Sequence, residues 1–396
     1  MSQTVACESE AGLTAAQKLS RVLEGIGGMA SIVPPRSRVL IKPNFVGPFE
    51  KAVTSFELIE AIVEEVRGAG GIPFIAESSG FEFNTEATFR AIGAYKFAEK
   101  IGVELLNLDH QPFRRVTVER GRVSHFLISA PVLEADRIIN VPRLKGHSLT
   151  RFTFGLKNLL GCVARATRRR IHVMGLNRGI VELNRLIHSD LCIIDGQSYL
   201  GRAIFDAEQP LGMIAAGRDV VATDIACCRI LNIDYRRVKH IKLAARELSE
   251  GGTGPKGIEP EIVGHLPHSA LARLRTGPIC PIHCGGMWGL YAVDWVYSAL
   301  FGGTVIPKFH YYVAVRPRID YKRCDLCGEC ARVCPASAID MESCTIDPQR
   351  CMYLRCLRCV EACPKDAISV VGLRKPSTAP KQEGAVPAAV RKERFF

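Results

Sequence analysis

Several signatures that assign a protein at sight are missing from these 396 residues. The chain begins MSQTVACESE, without the basic-then-apolar start of a secretory leader. A reducing, cytoplasmic setting is therefore expected, where disulfides are rare. The longest stretches without a charged side chain, 276–293 and 295–307, are separated by Asp294; the first contains two prolines and His283, and the second is short. Neither makes a membrane-spanning helix. Ordinary core packing, or failing that an apolar surface for a partner or peripheral membrane contact, is their expected use. There is no Walker lysine loop and no nucleophile elbow, which removes phosphate-cradling NTPases and elbow-type hydrolases. Gly252-Thr-Gly254-Pro-Lys-Gly257 has the letters of a dinucleotide fingerprint, but it follows a helical pattern and carries Pro255 where a helix should begin. Aromatic residues are only 7%. With so few of them interleaved, Arg168-Arg169-Arg170 reads as a solvated face or an anion contact, and nucleic acid is not the favoured partner.

What is present fits one large domain with a smaller one attached. Hydrophobic residues at 47% and charged residues at 23% exclude a disordered chain. The net charge of +12 favours anionic ligands. Part of that excess lies in residues 372–396, where six basic and two acidic side chains accompany proline and alanine without apolar periodicity. That segment reads as a mobile basic tail.

Most of the sixteen cysteines crowd the C-terminal third. Cys324, Cys327, Cys330 and Cys334-Pro335 have the C-x2-C-x2-C-x3-C-P spacing of bacterial ferredoxins. Cys351, Cys356, Cys359 and Cys363-Pro364 form a second run, and Pro335-Ala-Ser-Ala-Ile339 is echoed by Pro364-Lys-Asp-Ala-Ile368. Residues 316–371 thus resemble a two-cluster ferredoxin domain, a small α+β unit. The resemblance implies two [4Fe-4S] clusters, one on Cys324, Cys327, Cys330 and Cys363, the other on Cys334, Cys351, Cys356 and Cys359. The second run departs from the pattern in placing four residues between Cys351 and Cys356. Zinc, which favours two C-x2-C pairs, fits this spacing poorly. Cys280, His283 and Cys284 are close enough in sequence to ligate a further metal, with a proline-bent connection as the plainer alternative. Cys344 and the remaining cysteines read as ordinary thiols.

Upstream, residues 1–315 alternate helical and strand patterns. Leu13–Ile26 and Phe56–Arg67 carry apolar residues at helical spacing; short apolar runs occupy 38–41, 72–75, 137–141, 191–194 and 213–216. This predicts an α/β domain with a largely parallel sheet and flanking helices. In such sheets ligands gather beyond the carboxyl ends of strands. Those ends are polar here: Lys42-Pro43-Asn44, Glu77-Ser78-Ser79, Asn140 with Lys145, Gly146 and His147, Asp195-Gly196, and Asp219 with Asp224. The run from Ala135 to His147, the phrase Thr153-Phe-Gly-Leu-Lys157-Asn158-Leu-Leu-Gly161, Lys42-Pro-Asn44, His172, Asp195-Gly196, and Gly217-Arg-Asp219 through Asp224 together resemble the conserved domain of unknown function family 362 over residues 36–265. That family often carries a two-cluster ferredoxin module. The resemblance implies an iron-sulfur protein with a Lys, His and Asn rich site, and no reaction.

The chemistry of those residues predicts an anion site in which Lys145, His147 and Lys157 act as catalytic proton donors or relays. Lys42, Asn44, Asn140, Asn158, Asp195 and Asp224 are the expected substrate-binding residues. Electrons from a redox partner protein or low-potential donor would pass through the clusters to a small anionic substrate, making the protein a reductase. An electron-transfer or accessory protein without turnover, and a cluster-based nucleic-acid sensor, are the alternatives.

Overall fold

A computed structural model of the chain describes residues 3–80, 83–118, 121, 125–147, 150–200, 208–248, 258–267, 316–334, 337–347, 350–351, 359, 362–365 and 367–371. The expectations placed on 252–257, on 276–307 with Cys280, His283 and Cys284, on Cys356 and on the basic tail lie outside them. The chain divides into two compact units, Met1–Trp295 and Val296–Phe396.

In the first unit the strands are β1 (Thr4–Glu8), β2 (Arg38–Lys42), β3 (Ile72–Glu77), β4 (Glu104–Asn107), β5 (Phe113–Thr117), β6 (His125–Ser129), β7 (Arg137–Asn140), β8 (Arg143–His147), β9 (Arg151–Thr153), β10 (Leu191–Leu200), β11 (Glu208–Gly217) and β12 (Glu261–Gly264). The helices are α1 (Ala15–Glu24), α2 (Phe56–Gly68), α3 (Thr85–Ala91), α4 (Ala94–Lys100), α5 (Ala130–Leu133), α6 (Gly155–Asn158), α7 (Arg165–Leu186), α8 (Val220–Ile230) and α9 (Lys239–Glu247). The main sheet runs β12-β1-β11-β10-β7-β2-β3-β4, with β8 and β9 branching from β10. Its centre, β10-β7-β2-β3-β4, is parallel, whereas β11 lies antiparallel to both β10 and β1. The unit is α/β, as the alternation of helix and strand predicts.

The period of two along each strand splits the core between the faces of the sheet. Val39, Ile41, Ile139 and Ile193 pack with α1, α2, Phe89 and Phe97. Leu40, Ile138, Cys192 and Ile194 pack with Leu156, Ile180, Ile225 and Ile241. Strands buried on both faces read as unbroken apolar runs, which is why the central ones were legible. α1 begins with a capping box, Gln17 N–H donating to Thr14 Oγ1 while Thr14 N–H donates to Gln17 Oε1.

Two strands differ from expectation. β10 continues through Asp195-Gly196 to Leu200, because an irregularity between Gly196 and Ser198 keeps it paired with β11. Residues 143–147, expected to lie beyond the end of the strand at 137–141, form β8, which lies parallel to β10 with Arg143 opposite Asp195.

The second unit is a short internal duplication. β13 (Arg316–Ile319) pairs antiparallel with β16 (Ile368–Val371), and β14 (Ile339–Asp340) with β15 (Thr345–Ile346); one helical turn, α10, spans Glu329–Arg332. Ile319-Asp320 stands before Cys324 as Ile346-Asp347 stands before Cys351. The backbone repeats that equivalence. Cys324 N–H donates to Asp320 O and Cys351 N–H to Asp347 O, while Asp320 N–H donates to Ala367 O and Asp347 N–H to Ala338 O, both at 2.7 Å.

At the carboxyl edge of the large sheet, Lys42 and Glu77 form an ion pair at 2.7 Å with side chains 0% and 3% exposed. A methyl group on Gly161 would stand 2.0 Å from Glu77 Oε1, so only glycine lets the chain pass over the pair. Removing one partner leaves the other charge buried alone, which costs about 3–5 kcal/mol. Lys42→Met is therefore expected to lower unfolding free energy by that amount in urea titration, and Lys42→Met with Glu77→Gln to recover part of it.

Candidate functional site

The parallel register brings the polar strand ends together. Lys42 is paired with Asn140, Cys192 with both Asn140 and Gly217, and Lys42 and Asn140 continue the face of Leu40 and Ile138. α6, with Leu156 in the same core, covers that face. The turn after the antiparallel β11 thus reaches the level of the Lys42–Asn140 edge, and Asp224, one turn into α8, accepts from Gly155 N–H at 2.8 Å and Leu156 N–H at 3.1 Å. Gly155 sits so close that a Cβ would lie 2.6 Å from Cys192 Sγ.

From there a chain of amides runs inward. Asn140 Nδ2 donates to Gly155 O at 2.9 Å, and Asn158 Nδ2 donates to Asn140 Oδ1 at 2.8 Å and to the carbonyls of Lys42 and Pro43. Asn44 Nδ2 donates to Asn158 Oδ1 at 2.7 Å; Lys145 Nζ donates to Asn44 Oδ1 and to Ala52 O. Lys42 Nζ donates to Glu77 and to Pro43 O. Lys42, Asn44, Asn140, Lys145 and Asn158 are all buried. Buried polar groups need partners, and these supply one another.

Asp195 is engaged elsewhere. It pairs with Arg143 at 3.0 Å and accepts from the N–H of Ser55, the cap of α2. Arg143, which also donates to Ser198, escaped the sequence reading, although its place two residues before Lys145 on one strand puts both on one face. Glu77 was visible as a strand end, but its pairing with Lys42 depends on the register of β2 and β3. Arg168 is not on a solvated face: it is buried, donates to Ser79 O and pairs with Asp109 at 2.8 Å. Arginines can be buried when a carboxylate and a carbonyl take their donors.

His147 and Lys157 differ from the rest in being partly exposed. Thr150 N–H donates to His147 Nδ1 at 3.3 Å, which leaves the neutral ring's proton on Nε2. Burial, then the charges of Lys157, His172, Lys145 and His240, holds the His147 imidazole well below its usual range. Lys145 is likewise pushed well below the ordinary lysine range, first by burial and then by Lys157 and Arg143. His172 Nδ1 donates to Arg168 O at 2.7 Å. His240 is fully buried, and neither ring nitrogen has a hydrogen-bond partner among the described residues. Burial and then Lys157 bring it down to about 3. Nothing in the local sequence around His240 marks it; only the packing of α9 brings it within reach of Lys157's charge. The site is a cationic locus whose nearby imidazoles are held neutral, an environment that favours an incoming anion.

In the second unit, Cys324, Cys327, Cys330 and Cys363 line one hollow with Ile319, Leu326, Ile339 and Ile368. Cys334 is not in that lining. Ala367 N–H donates to Cys363 Sγ and Ala338 N–H to Cys334 Sγ, both at 3.2 Å, so the cysteine before each proline holds an amide-to-sulfur bond. Four thiols facing one apolar hollow, with backbone donors on sulfur, suit a [4Fe-4S] cluster. Cys351 and Cys359 are described, partly buried and buried respectively. Among the described residues, one further group of potential metal ligands, Glu8, Glu10 and His265, is already taken up by Arg21, which pairs with both carboxylates. No helix among those residues is long and apolar enough to cross a membrane.

A family model described as a domain of unknown function, DUF362, matches residues 39–229, and one described as a 4Fe-4S binding domain matches residues 317–340. The chain is 31% identical over 233 residues to the thylakoid-associated protein sll1697 of Synechocystis sp., covering 54% of this chain and 70% of that protein. Among solved structures, the lactate racemase apoprotein of Thermoanaerobacterium thermosaccharolyticum is similar at a TM-score of 0.40 and 12% identity, over 58% of this chain and 57% of that one.

Burial raises the Asp224 carboxyl from near 4 to about 8, against the lowering effect of the two amide donors. A raised carboxyl pKa means the folded chain holds that proton more tightly than the unfolded one. The stability so gained is complete below about pH 4 and is lost as pH rises toward 8. Asp224→Asn should flatten this dependence, read as a smaller difference in Tm between pH 5 and pH 8 than in the wild type.

Proposed function

The chain belongs to the DUF362 family and carries a 4Fe-4S binding domain, and from that premise we propose that this iron-sulfur protein delivers electrons to a small anionic substrate bound at His147 and Lys157. The second cysteine run and the duplicated backbone around Asp320 and Asp347 support a pair of [4Fe-4S] clusters. Cys324, Cys327, Cys330 and Cys363 would hold one, and Cys334, Cys351, Cys356 and Cys359 the other. Such clusters supply low-potential electrons one at a time.

What the chain's own residues do at the substrate follows from the site. Lys157, partly exposed, meets the anion by charge. His147, with its proton on Nε2, donates a hydrogen bond to the anion. The arriving negative charge offsets the repulsion from Lys157, so Lys145 and His147 gain affinity for protons when the anion binds. A reduction consumes protons, and His147 and Lys145, once loaded from solvent, hold the protons that the reduced substrate takes. Lys42, Asn44, Asn140, Asn158, Asp195 and Asp224, expected to bind substrate, would instead hold Lys145 and Lys157 in place, since their polar atoms are engaged with one another or with α6 and Arg143. The observation that carries this reading is the placing of two partly exposed donors, His147 and Lys157, in the electrostatic reach of the buried amine Lys145.

The test uses the full chain, anaerobically reconstituted, reduced with dithionite and challenged with small carboxylates and phosphates while cluster absorbance is followed. Reoxidation by one of these anions is expected, with His147→Ala and Lys157→Ala slowing it about 10²-fold or more while leaving iron content unchanged. Unaltered rates in both variants would remove the assigned site. Reoxidation only by a protein acceptor, with no small molecule consumed, would leave a carrier rather than an enzyme.

A further inference from the structure

The hollow lined by Cys324, Cys327, Cys330 and Cys363 has a fifth thiol in its wall. Cys344, in the turn between β14 and β15, is 3% exposed, lines the same hollow, and places its Sγ 3.9 Å from that of Cys324. This is beyond bonding distance for a disulfide, near 2.0 Å, and within reach of a thiol-to-sulfur hydrogen bond. The backbone at Cys344 has φ 51°, a left-handed conformation that a turn ordinarily gives to glycine or asparagine. The turn itself is secured by Asp340, whose carboxylate accepts from Glu342 N–H and Ser343 Oγ. A cysteine is not needed to make it.

The internal duplication says which cluster this sulfur serves. When Ile319-Asp320 is matched to Ile346-Asp347, the residue opposite Cys344 is Pro317. The other half therefore has no donor at the equivalent place. The duplication also separates Cys344 from the ligands, because Cys363 and Cys334 share the amide-to-sulfur bond and Cys344 has no partner in that scheme.

We propose that the Cys344 thiol is a positioning and tuning group, donating a hydrogen bond to the Cys324 thiolate and thereby raising the reduction potential of one cluster alone. A donor at a ligand sulfur stabilises the reduced, more negative cluster over the oxidised one. Two clusters built on near-identical backbone thus acquire different potentials, which gives electron flow between them a direction. The inference rests on the two-cluster reading above.

The experiment is an EPR-monitored redox titration of the anaerobically reconstituted full chain, with iron and sulfide analysed in parallel. Cys344→Ala keeps the hollow apolar, has no donor and avoids a β-branched side chain at the left-handed backbone. It is expected to lower one midpoint potential so that the ratio of reduced to oxidised cluster falls about tenfold at a fixed potential, roughly 59 mV for a one-electron couple. The other cluster should not move. Cys344→Ser, which retains a donor, should keep most of the wild-type value. An unshifted titration in the alanine variant, or equal shifts in alanine and serine, would overturn the tuning role. Loss of one cluster's iron from both variants would overturn it too, by making Cys344 a ligand. Wild-type protein that binds no iron would sink the cluster reading itself, a result distinguishable from any of these.

Discussion

The amino groups of Lys42 and Lys145 lie inside the carboxyl edge of the sheet, 0% and 3% exposed, and taking a charge or an unpartnered polar group out of water is among the costliest things a fold can do. Everything around them answers that cost. Glu77 neutralises Lys42 across two adjacent strands, and carbonyls of Pro43 and Ala52 accept their protons. The three asparagines, 44, 140 and 158, relay hydrogen bonds between lysines and backbone. Gly161 has no side chain because the ion pair occupies the space. The phrase Gly155-Leu-Lys157-Asn158 is fixed at its start by Asp224 and at its end by this amide relay, which is how Lys157 comes to be presented at the edge.

That arrangement separates supporting residues from presenting ones. The buried members have their hydrogen bonds completed internally, and a group so engaged is poorly placed to exchange partners with a ligand. His147 and Lys157 stand where the network meets solvent. His240 adds a buried imidazole with no hydrogen-bonding partner among the described residues, in the electrostatic reach of Lys157. A site in which a partly exposed cation, Lys157, acts electrostatically on a buried amine and on the imidazoles of His147 and His240 is chemically biased toward anions and proton transfer.

The C-terminal unit follows a different logic. Its described apolar cluster is small, joining Ile319, Cys344, Cys359 and Ile368 with the partly buried cysteines packed against them. A unit of that size gains its stability from what its thiols hold as much as from burial. Duplication gives it two similar halves, and small differences between them, four residues in place of two between Cys351 and Cys356 and a cysteine opposite a proline, are where the halves become distinct.

The sequence by itself determined the classes: an α/β domain, because strands buried on both faces show as unbroken apolar runs, and a 4Fe-4S binding unit, because thiolate spacing around a cluster is set within a few residues of chain. It also picked out Lys42 and Asn140, because polar residues ending apolar strands are anomalous wherever they occur, and Asn158 through the phrase shared with the family. Tertiary structure alone decided how they combine. The pairing of Lys42 with Glu77 depends on strand register, Asp195 lies within a strand because β11 pairs alongside it, and the partners of Arg143, Arg168 and His240 come from elements far away in the chain. Such contacts leave no periodic trace, since a side chain's neighbours across a sheet or between helices are set by packing and not by its sequence position. The same holds for Cys344, unremarkable in the sequence and placed beside Cys324 only by the fold of a turn.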